Sequence, residues 1–117
     1  MPIKDDGLHI EHVLECIDRV QTYTRGGREE FFTDIQKQDA VLRNLQVLAE
    51  SSQRLSDALR ARHSEIDWRS LSGFRNVLVH EYFGIRLERV CQIVEEDLPE
   101  LKLHMETIRG ELGDDRP

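Results

Sequence analysis

Four polar side chains suited to proton transfer and phosphate binding lie in the segment RNVLVHEY, residues 75–82: Arg75, Asn76, His80 and Tyr82. If the segment is helical, Asn76 and His80 are four residues apart on one face, and Arg75 and Tyr82 are nearly eclipsed on a neighbouring face. Histidine exchanges a proton near neutral pH, an arginine fork binds phosphate oxygens, and asparagine orients a nucleophile. These groups suit metal-independent RNA cleavage, in which a 2′-hydroxyl attacks the neighbouring phosphate with help from a base and an acid.

Two structural explanations compete with this functional one. Arg75 pairs with a carboxylate while His80 caps a helix C-terminus, where a cation is favoured, or all four residues form a buried hydrogen-bond network. Four such residues within eight positions, with arginines upstream, favour a site. Because one chain supplies one well-placed histidine, a two-fold dimer would complete the base and the acid.

Composition predicts one domain over residues 1–117, with a polar tail from about residue 110. The chain is 38% hydrophobic and 33% charged, which is typical of a helical domain with broad solvated faces. No apolar run approaches the length of a membrane span, and the N-terminus has no signal-peptide core, so a cytoplasmic location is expected. Cys16 and Cys91 form no metal-type spacing and are expected to be buried thiols.

The charge is unevenly distributed along the chain. The net charge of −7 argues by itself against nucleic-acid binding. Residues 54–75, however, carry five arginines against three carboxylates, a net +2, whereas residues 86–115 carry a net −5. The positive charge is therefore concentrated just before the motif. The acidic C-terminal region is either a solvated face or a surface for a basic partner.

Hydrophobic periodicity and breaker residues predict an all-α fold, an up-and-down bundle of four to five helices. The first helix should follow the capping residues Asp5-Asp6-Gly7 and stop at Gly26-Gly27. A long second helix of roughly 30 residues should begin near Arg28, since no glycine or proline interrupts residues 28–72. Further along the chain, we expect Trp68 and Leu71 to anchor to the core, a third helix over 73–82 closing at Gly84, and a kink or restart near Pro99.

Other candidate sites are weaker. His9, His12, Glu15 and Cys16 have helical metal-ligand spacing, but Cys16 adjoins the apolar stripe and a fourth ligand is not evident, so no metal site is predicted. His63 and His104 are expected at the surface. No glycine pattern resembles a phosphate-binding loop, and therefore no cofactor is expected.

The motif RNVLVHEY fits the Arg-x4-His-x-Tyr signature of the HepT family, within the superfamily of HEPN-domain ribonucleases. LRNLQVLAESSQRLS resembles the family's second-helix segment, with Arg43 and Glu50 in place. The segment from IDWRSLSGFRN through DLPELKLHMETI is similar to the family's C-terminal half, and the resemblance covers roughly residues 8–108. Asp67 stands where the family often has proline, and Cys91 where it often has tryptophan. Both differences concern packing rather than the polar quartet.

The resemblance implies a ribonuclease toxin of a toxin–antitoxin pair, with Arg75, Asn76 and His80 catalytic at a homodimer interface or in a higher homo-oligomer. The implied partner is an MntA-type minimal nucleotidyltransferase antitoxin, which silences the toxin by transferring AMP from ATP onto Tyr82. An attached phosphate would place negative charge where the RNA backbone should lie. The alternative is a non-catalytic helical binding module that scaffolds or regulates a nucleotidyltransferase.

Overall fold

The computed structural model describes the backbone of residues 2–69, 71 and 87–114 and the side chains of 5–69, 71 and 87–113. The regular elements within these ranges are all helical, which confirms the predicted all-α bundle. The predicted third helix over 73–82 lies outside the described residues. The helices are α1 Pro2–Tyr23, α2 Arg28–Thr33, α3 Ile35–Gln53, α4 Asp57–Arg62, α5 Leu87–Gln92 and α6 Leu98–Asp114, with a π-helical turn, Ile93–Asp97, joining α5 to α6.

Helix α1 is the central element of the described bundle. Its residues Ile10, Val13, Ile17 and Val20 recur at intervals of three and four, so they share one face, and each is 0% exposed. This face packs against α3 and α6. Glu11, near the middle of α1, lies 3.7 Å from Arg109 in the second half of α6, so an ion pair joins these two helices.

The chain leaves α1 through the turn predicted at the glycine pair. Gly27 has φ +92°, a left-handed conformation that side chains rarely adopt. The predicted end of the first helix is therefore confirmed, but the predicted start is wrong. Helix α1 begins at Pro2, so Asp5 and Asp6 lie inside it and do not cap it.

Asp6 instead holds the junction between α3 and α4. Its carboxylate accepts a hydrogen bond from the Ser56 backbone N–H at 2.8 Å and another from the Ser56 hydroxyl at 2.6 Å. The Ser56 hydroxyl oxygen in turn accepts from the Leu59 N–H at 3.2 Å, which caps α4. Asp6 is only 3% exposed, so these bonds satisfy a buried carboxylate.

The predicted long second helix is wrong, because the segment from Arg28 breaks twice. Asp34 adopts an extended conformation and its side chain accepts from the Lys37 N–H, so it ends α2 and caps α3. Ser56 starts α4 in the same way. The sequence contains no glycine or proline here, but aspartate and serine interrupt a helix as effectively when their side chains replace backbone acceptors. Phe31, on the short helix before the first break, lies in the core and is 1% exposed.

The predicted restart near Pro99 is confirmed as a π-helical turn. Proline has no backbone N–H, so a helix passing through Pro99 loses one hydrogen bond. The turn Ile93–Asp97 immediately precedes it, and the Leu98 N–H bonds to the Ile93 carbonyl, five residues back. The carboxylate of Glu95 within this turn receives a two-pronged hydrogen bond from Arg28, with N···O distances of 2.8 and 2.9 Å. This ion pair ties the start of α2 to the turn.

The buried Asp6–Ser56 pair predicts a local cost in stability. Asp6→Ala removes two hydrogen bonds to a charged group and leaves the Ser56 N–H without its acceptor, so the free energy of unfolding should fall by about 2–3 kcal/mol. Urea denaturation measures this. The neighbouring Asp5 is exposed, and Asp5→Ala should leave the midpoint nearly unchanged. Equal losses in the two variants would contradict the role given to Asp6.

The Arg28–Glu95 pair predicts an acid dependence of stability. The hydrogen bond from Arg28, assisted by its charge, holds the pKa of Glu95 below the ordinary glutamate value. A lowered folded-state pKa stabilises the fold above the unfolded-state pKa, and this stabilisation is lost as pH falls through the folded-state pKa. Glu95→Gln should therefore flatten the decline of Tm between pH 6 and 3, roughly the range spanning an ordinary glutamate pKa. Glu88→Gln, at an exposed position on α5, should retain the full decline.

Candidate functional site

The predicted site residues Arg75, Asn76, His80 and Tyr82 lie within residues 72–86, outside the described residues. Their roles therefore stay predictions. The structure does describe the chain on both sides of the motif. Leu71, just before it, and Leu87, just after it, both pack against the hydrophobic core formed by α1, α3 and α6. The segment that carries the motif is thus attached to the core at both ends.

The approach to the motif, residues 63–71, is fixed by apolar contacts and by backbone hydrogen bonds. Ile66 is buried, and Trp68 and Leu71 pack partly buried against the core, which confirms the predicted anchors. The Trp68 indole N–H donates to the His63 carbonyl at 3.0 Å, and the Ile66 N–H donates to the same oxygen at 3.1 Å. Two donors on one carbonyl hold this irregular stretch in a single compact turn.

The prediction that His63 is a surface residue is wrong. The residue is 8% exposed, and both ring nitrogens face carboxylates. Nε2 lies 2.9 Å from Oε2 of Glu111 on α6, and Nδ1 lies 3.4 Å from Oε1 of Glu65. The pKa of Glu65 is lowered, first by a hydrogen bond from its own backbone N–H and then by His63. Because Glu111 is 48 positions away from His63, no local spacing in the sequence points to this pair. His104 is half-buried, 3.8 Å from Glu100.

A cleft of about 380 Å³ lies between residues 65–71 and helices α5 and α6. Among the described residues that line it, five carry carboxylates and two are basic: Glu65, Asp67, Glu96, Asp97, Glu100, Arg89 and His104. These carboxylates repel a phosphodiester backbone. The acidic C-terminal region identified in the sequence therefore contributes Glu96, Asp97 and Glu100 to a concave surface.

The arginine-rich stretch before the motif, residues 54–69, is exposed to solvent at three of its arginines. Arg54, Arg62 and Arg69 are exposed. Arg60 is half-buried and pairs with Asp57 at 2.7 Å. The three exposed guanidinium groups are available to phosphate oxygens, in contrast to the acidic cleft.

The His9–Cys16 group shows no arrangement for a metal. The rings of His9 and His12 are 6.3 Å apart at their centroids, His12 and Glu15 are exposed, and Cys16 is buried. Within the part of the chain that is described, no three histidine, cysteine or carboxylate side chains are grouped so that they would hold a metal ion. Cys16 and Cys91 are both free and buried, as predicted, and burial raises the pKa of each thiol.

The helices in the described ranges include none that is long and apolar enough to cross a membrane.

Comparison with known proteins gives the class of this chain. It belongs to the Ribonuclease HepT-like family, whose sequence model matches residues 13–108 and thus spans the motif and both of its anchors. A "Probable ribonuclease HepT" from Thermococcus cleftensis is 33% identical over 102 residues, which cover 86% of this chain and 93% of that protein. The family predicted from the motif is therefore confirmed.

A second relative is longer than this chain. A "Gamma-glutamylcyclotransferase and putative RNase" from Methanocaldococcus jannaschii is 33% identical over 110 residues, 93% of this chain. The match covers 50% of that protein, so this chain spans about half of its length. No solved structure matches this chain.

Proposed function

We propose that this chain is a metal-independent endoribonuclease that acts as the toxin of a toxin–antitoxin pair in the cytoplasm. The observation that carries the proposal is the Arg75-Asn76…His80 spacing in a chain that belongs to the Ribonuclease HepT-like family. Neither part suffices alone. Short motifs recur by chance, and a family includes members that have lost activity.

The proposed reaction follows from the chemistry of the three residues. His80 accepts the proton of the RNA 2′-hydroxyl, whose oxygen then forms a bond to the adjacent phosphorus. Arg75 stabilises the negative charge that grows on the phosphoryl oxygens. The bond from phosphorus to the 5′-oxygen breaks, and a protonated acid supplies the proton to that oxygen. Asn76 orients the attacking hydroxyl. The products are a 2′,3′-cyclic phosphate and a 5′-hydroxyl end, which need no metal-bound water.

The second proton donor implies a second copy of the chain. Each chain contributes one histidine to the motif, whereas the reaction needs a base and an acid at the same time. A two-fold homodimer that faces two motifs across one groove supplies both. The substrate groove proposed here is therefore composite, and it belongs on a surface other than the acidic cleft, whose charge opposes RNA.

We also propose that a nucleotidyltransferase antitoxin regulates the site through Tyr82. The tyrosine oxygen attacks the α-phosphorus of ATP, a new O–P bond forms, and pyrophosphate leaves with the electrons of the broken anhydride bond. The resulting adenylyl group carries a negative charge two residues from His80 and competes with the RNA phosphate for Arg75.

The alternative is a non-catalytic module that docks a nucleotidyltransferase. The acidic cleft favours it, because a concave acidic surface suits a basic protein segment. A module of this kind does not need the Arg75–His80 pair. An RNA cleavage assay with substitutions in that pair separates the two hypotheses.

The catalytic proposal predicts large losses of RNA cleavage for two substitutions. His80→Ala should lower the cleavage rate by about 10²–10⁴-fold because it removes the base. Arg75→Ala should lower it by about 10²–10³-fold because it removes charge stabilisation. His12→Ala is the matched control, since His12 is exposed on α1, and it should cleave like the wild type. Activity of a pure preparation that EDTA abolishes, or activity that survives His80→Ala, would exclude this mechanism.

The regulatory proposal predicts a separation of activity from neutralisation. Tyr82→Phe keeps the ring but removes the oxygen that accepts AMP, so the variant should retain RNase activity and stay toxic when co-expressed with the antitoxin. Tyr23→Phe is the control, because Tyr23 is the other tyrosine of the chain and packs against the core. Intact mass after incubation with the nucleotidyltransferase and ATP should show added AMP on wild type and Tyr23→Phe only. Neutralisation of Tyr82→Phe without added mass would replace modification by simple binding.

A further inference from the structure

His63 contacts both the residues that precede the motif and the C-terminal helix α6. Its ring bridges Glu65 and Glu111, and its carbonyl accepts from Trp68 and Ile66. The side chain is about 10% exposed, whereas the two carboxylates are 56% and 57% exposed. A nearly buried imidazole therefore sits between two carboxylates that solvent reaches.

The number of N–H donors on the His63 ring determines how many of the two carboxylates it can bind. A neutral imidazole has one N–H and donates to one carboxylate, while only the imidazolium donates to both. The contact to Glu111 is the shorter, at 2.9 Å against 3.4 Å for Glu65. The Glu65 contact has the geometry of a hydrogen bond, whereas the Glu111 contact is a close approach of Nε2 to a carboxylate oxygen, which attracts when the ring is protonated. The Glu111 contact is the one that crosses from His63 to α6.

Hydrogen bonds connect His63 with the residues that precede the motif. The Trp68 N–H bonds to the Ile66 carbonyl at 3.0 Å, and the Leu71 N–H bonds to the Asp67 carbonyl at 3.3 Å. Trp68 is also bonded to His63 through its indole. His63, Ile66 and Trp68 are thus linked by hydrogen bonds, and Trp68 and Leu71 are held by core packing. Leu71 is the last described residue before the segment that carries Arg75 and His80.

We infer that His63 and Glu111 are positioning residues for the proposed nuclease site, acting through the 63–71 segment without contacting RNA. This inference rests on the proposed function. It gives the acidic end of α6 a specific task, since Glu111 contacts the first residue of the 63–71 approach. Small displacements of a catalytic group lower the rate of the chemical step more than they weaken substrate binding. Loss of the connection should therefore appear in kcat rather than in KM.

The test compares four substitutions on α6. Glu111→Ala removes the carboxylate that contacts the His63 ring, and Glu111→Gln keeps a side chain of the same length that ends in an oxygen. Glu100→Ala is the matched control, because it removes the other glutamate–histidine contact of the same helix, Glu100 and His104. Ile108→Val is a second control that loosens the core three residues before Glu111 and leaves the carboxylate in place.

Steady-state cleavage of a fluorogenic mixed-sequence RNA oligonucleotide gives kcat and KM, each measured at the same interval below the variant's own Tm. Glu111→Ala should lower kcat by about 10–100-fold, with KM changed by less than about threefold. Glu111→Gln should recover most of the rate, and Glu100→Ala and Ile108→Val should cleave like the wild type. A kcat for Glu111→Ala equal to that of Ile108→Val would overturn the positioning role and leave the nuclease proposal intact. A wild-type chain without cleavage would overturn the nuclease proposal itself.

Hydrogen exchange keeps the inference testable apart from activity. In Glu111→Ala, the amides of Ile66, Trp68 and Leu71 should exchange faster than in the wild type, whereas those of α3 should be unchanged. Ile108→Val should not produce this local pattern. Protection of 66–71 that is identical in the wild type and Glu111→Ala would show that the His63–Glu111 contact does not hold the segment, and would refute the inference.

Discussion

The burial of one face of α1 between α3 and α6 is the constraint on which the described structure depends. The four fully buried residues of that face, together with Phe31, Leu45, Leu48 and Met105, form a single hydrophobic cluster. A buried residue of this size contributes roughly 1.5–3 kcal/mol by leaving water. The polar pairs then fix the orientation of the helices and turns around that apolar centre. Asp6 with Ser56, Arg28 with Glu95 and His63 with Glu111 each join elements that the hydrophobic cluster brings close but does not orient.

The sequence predicted those parts of the fold that depend on local chemistry. The apolar spacing of α1, the stop at Gly26-Gly27, the restart before Pro99 and the anchoring by Trp68 all follow from rules that operate within about seven residues. The burial of Cys16 and Cys91 as free thiols was predicted from their lack of metal-type spacing. The family assignment was also accessible, because the motif and its flanking segments are continuous in the sequence.

The errors share a different physical origin. Whether Asp34 continues or interrupts a helix depends on whether its side chain or a backbone carbonyl receives the Lys37 N–H, and the residue type alone does not decide that competition. Asp6 looked like a cap for its own helix but instead binds Ser56, the cap of another helix 50 residues later. His63 looked exposed because its partner Glu111 is far away along the chain. Polar groups that are satisfied by tertiary contacts carry no periodic signal, whereas apolar groups do.

The π-helical turn changes which residues share a helix face before and after it. A π turn contains one residue more than the α-helical turn it replaces, and one residue in an α-helix corresponds to about 100° of rotation. A helical wheel drawn continuously from Leu87 to Asp114 therefore assigns the residues after the turn to the wrong side by that angle. Sequence alignments that shift a gap through residues 93–97, and redesigns that treat the segment as uniform, will misplace Glu111 and its neighbours relative to α5. The phase of this helix has to be counted separately on each side of the turn.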